Sequence, residues 1–157
     1  MAVEFSPAAL ETFNAIVARY PKKEAAMLPV LYLAQREFGH IGQEAIDYVA
    51  RLMGQSSARV YGVVSFYTMF NMKPIGRHHI QVCRTLSCAL RGAEIVTSTI
   101  KGKLGIEPGQ TTPDGRFTLS EVECLASCGT APMMQVNDDY YENLTEGKIG
   151  EILDSLK

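Results

Sequence analysis

The sequence predicts an α+β fold, an N-terminal helical bundle followed by a second unit that mixes strands and helices. Three observations predict it. Apolar residues recur at helical spacing from Ser6 to about Phe70. The stretch Asn71 to Arg77, with Lys73-Pro74-Ile75-Gly76 inside it, breaks that periodicity and reads as a linker. Beyond it, short apolar runs replace the helical stripe, and all 4 cysteines fall there in two close pairs. The division is placed at residues 1–75 and 76–157.

The first unit predicts four short helices, enough for a small bundle. Ser6 caps the first, and Pro7 stands at its first position, where a missing N–H costs nothing. Leu10, Phe13, Ile16, Val17 and Tyr20 mark its inner face, and Pro21 stops it. The second carries Leu28, Leu31, Ala34 and Phe38 and ends at Gly39; Pro29 places its start only a few residues earlier. The third runs from about Gln43 to Met53 with Ile46, Val49, Ala50 and Met53 inward, and Ile41 staples onto Ile46 across a Gly42 cap. Ser56 opens the fourth, with Val60, Val63, Val64 and Tyr67 on one stripe.

The second unit reads strand–helix–strand, then strand–strand–helix. His79 to Val82 is a strand leading into Cys83, and Ala89 to Leu104 is a helix with Ala93, Val96, Ile100 and Leu104 in line. A loop from Gly105 to Gly115 precedes a second strand, Arg116 to Glu123, which delivers Cys124; a slip in its alternation before Val122 suggests a bulge. Met133 to Val136 and Tyr140 to Leu144 form a hairpin across Asn137-Asp138-Asp139. Thr145 caps a last helix with Ile149, Ile152, Leu153 and Leu156 inward. A strand–helix–strand unit implies parallel strands, and the hairpin adds an antiparallel pair. That order matches a thioredoxin-like sheet, with both cysteine loops at the carboxyl ends of the first two strands, where ligands gather in such sheets.

Composition bounds the function. A formal charge of -2 argues against nucleic acid as a partner. No apolar run approaches the roughly 20 residues of a membrane helix. Met1 to Phe5 shows neither a basic nor an apolar signal region, which predicts an unsecreted chain in a reducing compartment. Disulfides are disfavoured there, and cysteines serve more often as ligands or catalysts.

The pairs are Cys83-x4-Cys88 and Cys124-x3-Cys128. Four thiolates without histidine suit tetrahedral iron or zinc. A [2Fe–2S] cluster takes two thiolates on each iron, and its negative charge needs amides, helix N-termini or cations nearby. Cys88 at the start of the 89–104 helix, the flanking Arg84 and Arg91, and the small-residue loop Leu125 to Ala131 offer all three. Pro132 rigidifies the exit of that loop. Structural zinc remains open, since x4 sits at the edge of its spacing range; two disulfides and a catalytic dithiol are weaker, the latter for want of C-x-x-C. Bland roles fall to the rest. His78 and His79 sit at a strand start with one exposed; Tyr61, Phe66, Tyr67 and Phe70 are core and interface; Met133 and Met134 pack; Glu121 and Glu123 form a solvated face.

Cys83-x4-Cys88, then 35 residues, then Cys124-x3-Cys128-x2-Ala131-Pro132, resembles the thioredoxin-like [2Fe–2S] subunit of respiratory complex I, the E-type subunit family of NADH:quinone oxidoreductases. Leu28 to Gln35, Tyr61 to Phe70, Val122 to Leu125 and Val136 to Thr145 extend the resemblance over nearly the whole chain. It implies that Cys83, Cys88, Cys124 and Cys128 hold one [2Fe–2S] cluster, with no catalytic side chain. It implies that FMN and NADH sit on a partner subunit, which the helical half docks, alongside further iron–sulfur subunits. The cluster exchanges electrons with that flavin in an oxidoreductase feeding quinone. Such a chain lies on the cytoplasmic side of the inner membrane, peripheral and not inserted, or on the matrix side if mitochondrial. Equivalent subunits of NAD-reducing hydrogenases and NAD-dependent formate dehydrogenases share the pattern, and a zinc-stabilised interaction module stays as the reading without redox chemistry. Two departures stand out: Ala126-Ser127 where Gly-Ala is common, and Ser87 where proline is frequent.

Overall fold

Four α-helices build the first unit of the computed structural model, which describes residues 3–156. Met1 and Ala2, at the head of the segment considered for a signal, lie outside the described residues. The chain divides into two units, Met1–Pro74 and Ile75–Lys157.

Helix α1 spans Pro7–Val17, and the Ser6 side chain accepts from the Ala9 N–H, the expected cap. It ends before Tyr20, and its buried residues are Ala9 and Phe13, with Ile16 and Val17 packed at the edge. Leu10 and Tyr20, expected inward, are each 37% exposed, because the inner stripe runs through Ala9 and Phe13 instead. A 3-10 turn, Lys23–Ala26, leads into α2, Met27–Phe38, whose chain turns at Gly39 with φ 79. Leu28 and Phe38 pack at the edge of this core, while Met27, Val30, Leu31 and Ala34 are buried. Helix α3 is Gln43–Met53, and Ile41 and Ile46 are both fully buried at its head. Helix α4 is Ser57–Phe66, capped by Ser56 through the Arg59 N–H; Val60 and Val64 are inward and Tyr67 is 37% exposed. The return from α4 is held by Gln35. Its amide donates to Met69 O at 2.9 Å and accepts from the Asn71 N–H at 2.6 Å. Each fully buried Leu31, Ile46 or Val49 contributes about 1.5–3 kcal/mol relative to exposure. Phe5 joins this core against Phe38 and Tyr48, with its N–H donating to the Tyr48 hydroxyl at 2.9 Å.

The second unit is a four-stranded sheet ordered β2-β1-β3-β4. Its strands are β1 (His78–Cys83), β2 (Phe117–Val122), β3 (Met134–Val136) and β4 (Asp139–Tyr141). Strands β1 and β2 are parallel, as the strand–helix–strand order requires; β1/β3 and β3/β4 are antiparallel. Ile80, Val82, Leu119, Met134 and Val136 form a core with Val96 and Ile100 of α6 (Ala93–Leu104) and Ile149, Ile152 and Leu153 of α7 (Glu146–Ser155). Thr145 caps α7 by accepting from the Lys148 N–H, as expected. Gly76 enters this unit pressed against β2. A Cβ there would meet backbone atoms of Arg116 and Phe117 at 2.9 Å, and its N–H donates to Thr118 Oγ1 at 2.6 Å.

Several expectations are corrected. The single helix over 89–104 is two: α5 (Leu86–Leu90) and α6, separated by Gly92 at φ 97, a left-handed turn that glycine adopts without steric cost. Strand β2 has no bulge, since its register with β1 runs unbroken from His78↔Phe117 to Cys83↔Val122. The apparent slip has another cause: Thr118 is buried beside Phe117 and Leu119 because its hydroxyl is engaged by Gly76 and Thr111. Strand β4 is shorter than expected, and its two-residue turn, Asn137-Asp138, starts with Asn137 at φ 53. His78 and His79 are both half-buried, where one was expected exposed; His79 Nε2 lies 2.9 Å from Ser120 Oγ, and burial lowers its pKa.

Candidate metal centre

The parallel pair brings the two cysteine loops together. Strand β1 ends at Cys83, and one further rung, Arg84 N–H to Val122 O at 3.0 Å, closes the ladder. Thr85 is extended, and its hydroxyl lies 3.2 Å from Cys83 Sγ. The chain then coils into α5, whose one buried residue is Cys88, while Leu86 and Leu90 face outward. This corrects the expected placement: Cys88 sits inside a five-residue helix, not at the N-terminus of a long one.

Cys83 and Cys88 are 3% and 2% exposed and pack with Ala93, Ala131 and Met133, with Leu125 against them. Met133 is therefore a packing residue beside the first pair, as expected, whereas Met134 belongs to the sheet core. Cys124 and Cys128 are exposed, and all four thiols are free. The second loop runs from the end of β2 through Cys124, Leu125 and Ala126 to a 3-10 turn, Cys128–Thr130, and leaves through a cis Ala131–Pro132 peptide. Ala126 takes φ 60, the backbone region that glycine enters most easily. The Ala126 N–H points at Cys124 Sγ at 3.4 Å.

The sulfurs sense one another across the loops. Burial pushes the Cys88 thiol up to about 11, and its hydrogen bond to Cys83 and negative charge at Cys83 and Cys128 push the same way; the Met133 N–H opposes them. Burial also raises Cys83, but hydrogen bonds from the Thr85 hydroxyl and amide, the Leu125 N–H and Cys88 outweigh it and hold that thiol below its ordinary value. The two thiols of the first pair are thus shifted in opposite directions, Cys83 down and Cys88 up. Amides of the second segment, Leu125 and Met133, serve sulfurs of the first pair.

The donor set fits a two-iron cluster. It offers thiols alone, in two pairs, with the pairs in electrostatic reach. A single tetrahedral zinc asks for four ligands on one ion, whereas [2Fe–2S] asks two of each iron.

Arg84 does not stand free beside the sulfurs. It pairs with Glu123 at 2.5 Å, both side chains largely exposed, and this raises its pKa. Glu123 is therefore a partner of Arg84, and Glu121 accepts from Thr97 Oγ1 at 3.2 Å; neither is merely a solvated carboxylate. The aromatics of α4 and its exit divide: Phe70 is buried, while Tyr61, Phe66 and Tyr67 are exposed. Sequence reasoning missed Thr85 and Glu142, and read Ser127 and Thr130 only as small residues of the loop, not as hydroxyls that hydrogen-bond across it. Hydroxyls close to cysteines were a usable signal for Thr85, Ser127 and Thr130; Glu142, 14 residues beyond Cys128, carried none.

Comparison with known proteins adds sequence relatives. The family described as thioredoxin-like [2Fe-2S] ferredoxin matches residues 13–157. The E-type subunit of the NADH-quinone oxidoreductase of Rickettsia conorii is 48% identical over 90% of this chain and 87% of its own length. An E-type subunit of the same enzyme from Rhizobium meliloti is 44% identical over 94% and 88%. The mitochondrial NADH dehydrogenase [ubiquinone] flavoprotein 2 of Dictyostelium discoideum is 46% identical over 98% of this chain and 64% of its own. Among solved structures, a chain of an NAD+-reducing [NiFe]-hydrogenase superposes with TM-score 0.72 at 19% identity, covering 83% of this chain and 22% of that one, a likeness of fold.

Proposed function

We infer the function from one premise: the chain belongs to the thioredoxin-like [2Fe-2S] ferredoxin family and, within it, to the E-type relatives from NADH-quinone oxidoreductase. It is an electron-transfer subunit of a flavin-linked NADH:quinone oxidoreductase and carries one [2Fe–2S] cluster. When bound, the cluster supplies one-electron exchange with the FMN of the partner subunit. We assign its ligands to Cys83, Cys88, Cys124 and Cys128. The observation that carries this assignment is the convergence of both cysteine loops at the carboxyl ends of the parallel β1/β2 pair.

The residues prepare the two halves differently. Burial raises both thiols, but hydrogen bonds from Thr85 and the Leu125 N–H bring Cys83 below its ordinary value while Cys88 stays raised to about 11, and ligation removes whatever proton either sulfur still carries. The Leu125, Ala126 and Met133 amides meet the sulfurs and offset negative charge gathered there. The partner is the FMN- and NADH-binding subunit, with further iron–sulfur subunits beyond it, and the unit Met1–Pro74 is the docking arm. No helix of the described residues is long and apolar enough to cross a membrane. The subunit's place in the complex is peripheral, on the cytoplasmic or matrix side, as the resemblance to the E-type relatives implies.

Affinity purification of the tagged chain from its native host tests the assignment. Recovery with a flavin subunit and membrane quinone-reductase subunits is the expected result. Recovery with hydrogenase or formate dehydrogenase subunits would move the same chemistry to another complex, and recovery with neither would overturn the assignment to a complex.

A further inference from the structure

The second cysteine loop lacks the burial that holds the first, yet it is tied at several points to the segment following β3. The Tyr140 hydroxyl donates to Leu125 O at 2.9 Å, the Asn143 N–H to Thr130 O at 2.7 Å, and the Leu144 N–H to Pro132 O at 3.0 Å. At the centre is Glu142, half-buried just past β4. One of its oxygens, Oε1, accepts from both the Ser127 hydroxyl and the Thr130 hydroxyl, the latter at 2.6 Å. The two hydroxyls are themselves 2.6 Å apart, and Ser127 O, 3.2 Å from Thr130 Oγ1, is a second acceptor within reach of the same Thr130 proton. Lys148 Nζ donates to the Glu142 carbonyl at 2.5 Å and fixes its backbone. Ser127 precedes Cys128 directly and Thr130 ends the 3-10 turn that Cys128 opens, so one carboxylate grips the chain on both sides of that sulfur.

We propose that Glu142 is the positioning residue of the second cysteine loop, seating the Cys128 sulfur through Ser127 and Thr130. This rests on the reading of Cys128 as a cluster ligand. A carboxylate oxygen suits the task because it has lone pairs for two hydroxyl donors at once. The bonds from Ser127 and Thr130 in turn lower the Glu142 pKa and keep it ionised at neutral pH. Nothing in the role requires the charge to act on the cluster: the grip uses a single acceptor oxygen, which glutamine also has.

The test uses the full chain with its cluster reconstituted. Wild type is compared with Glu142→Ala, Glu142→Gln and the double variant Ser127→Ala/Thr130→Val, which keeps the side-chain shapes if Glu142→Ala fails to fold. The readouts are the rate at which an iron chelator bleaches the visible absorbance, and the electron paramagnetic resonance spectrum of the reduced chain. Glu142→Ala and the double variant are expected to speed bleaching on the order of ten-fold, and to alter the spectrum alike. Glu142→Gln is expected to stay near wild type in both. Glutamine behaving like alanine would show an effect of charge and overturn positioning, as would wild-type behaviour of the double variant. A Cys128→Ser chain that keeps wild-type iron would overturn the ligand reading, and the proposal with it. Loss of iron from Cys128→Ser beside unchanged bleaching in Glu142→Ala would overturn the positioning role alone.

Discussion

The first cysteine pair stands on regular structure and the second on a loop, and each is supported by a different kind of force. Cys83 closes a strand and Cys88 is the buried residue of α5, both packed with Ala93, Ala131 and Met133. Cys124 and Cys128 are exposed, and their loop is tied by hydrogen bonds from Tyr140, Ser127 and Thr130 and onto Glu142. Apolar packing fixes the first pair before any metal arrives, whereas a polar strap fixes the second. On the proposed ligand set, a site of uniform sulfur chemistry is built half as core and half as surface.

The largest test of that contrast asks whether both halves bind at all. Cys88→Ser and Cys124→Ser should each bring iron and acid-labile sulfide close to zero in the reconstituted chain. Wild-type content in Cys124→Ser would reduce the second loop to a cover for the first pair. Next comes the packing itself. Met133→Ala should cost about 2–5 kcal/mol in urea unfolding, because a fully buried methionine is removed from beside Cys83 and Cys88. Leu125→Ala, at a half-buried residue of the exposed second loop, should cost clearly less, and an equal cost would erase the distinction between packed and strapped loops.

A smaller effect follows from protons on the metal-free chain. Cys88 is raised from an ordinary 9.0 to about 11 in the folded state, so its share of stability is complete below 9 and fades as pH climbs through about 11. Cys83 is lowered, so its share is present above the ordinary thiol value and fades as pH falls through the folded one. The urea midpoint of the apo chain should thus decline between pH 9 and 11, and Cys88→Ala should flatten that decline. A decline unchanged in Cys88→Ala would place the titration elsewhere. The smallest effect belongs to Arg84 and Glu123, which neighbour Cys83 and Cys124 and pair with each other in solvent. Arg84→Ala should make the cluster slightly harder to reduce and Glu123→Ala slightly easier, with both shifts vanishing in high salt. Shifts of one sign would show that only one of the two charges faces the cluster.

Much of this architecture was legible in residue patterns. Caps at Ser6, Ser56 and Thr145 and the run Gln43–Met53 were readable because capping and a sustained apolar period are local properties. Parallel pairing of β1 and β2 followed from connectivity. The division of α5 from α6 was hidden because an apolar stripe looks continuous across one glycine; only the left-handed backbone at Gly92 reveals the break. Cysteine spacing drew attention to the centre but was silent on which pair is buried. Glu142 was illegible, because its contacts with Ser127 and Thr130 form only once the hairpin folds back beside the loop.

The pairing of Cys83 with Val122 has a geometric consequence. It sets Cys124 two residues past the last paired position of its strand, an overhang of at most roughly 7 Å at about 3.3 Å per residue. Cys88, five residues past its own strand, is nevertheless buried, because α5 folds it back against Ala93, Ala131 and Met133. A molecule reaching this end of the sheet from solvent meets the exposed Cys124 and Cys128 before the buried Cys83 and Cys88, so the doorway of the candidate site lies on its strapped loop.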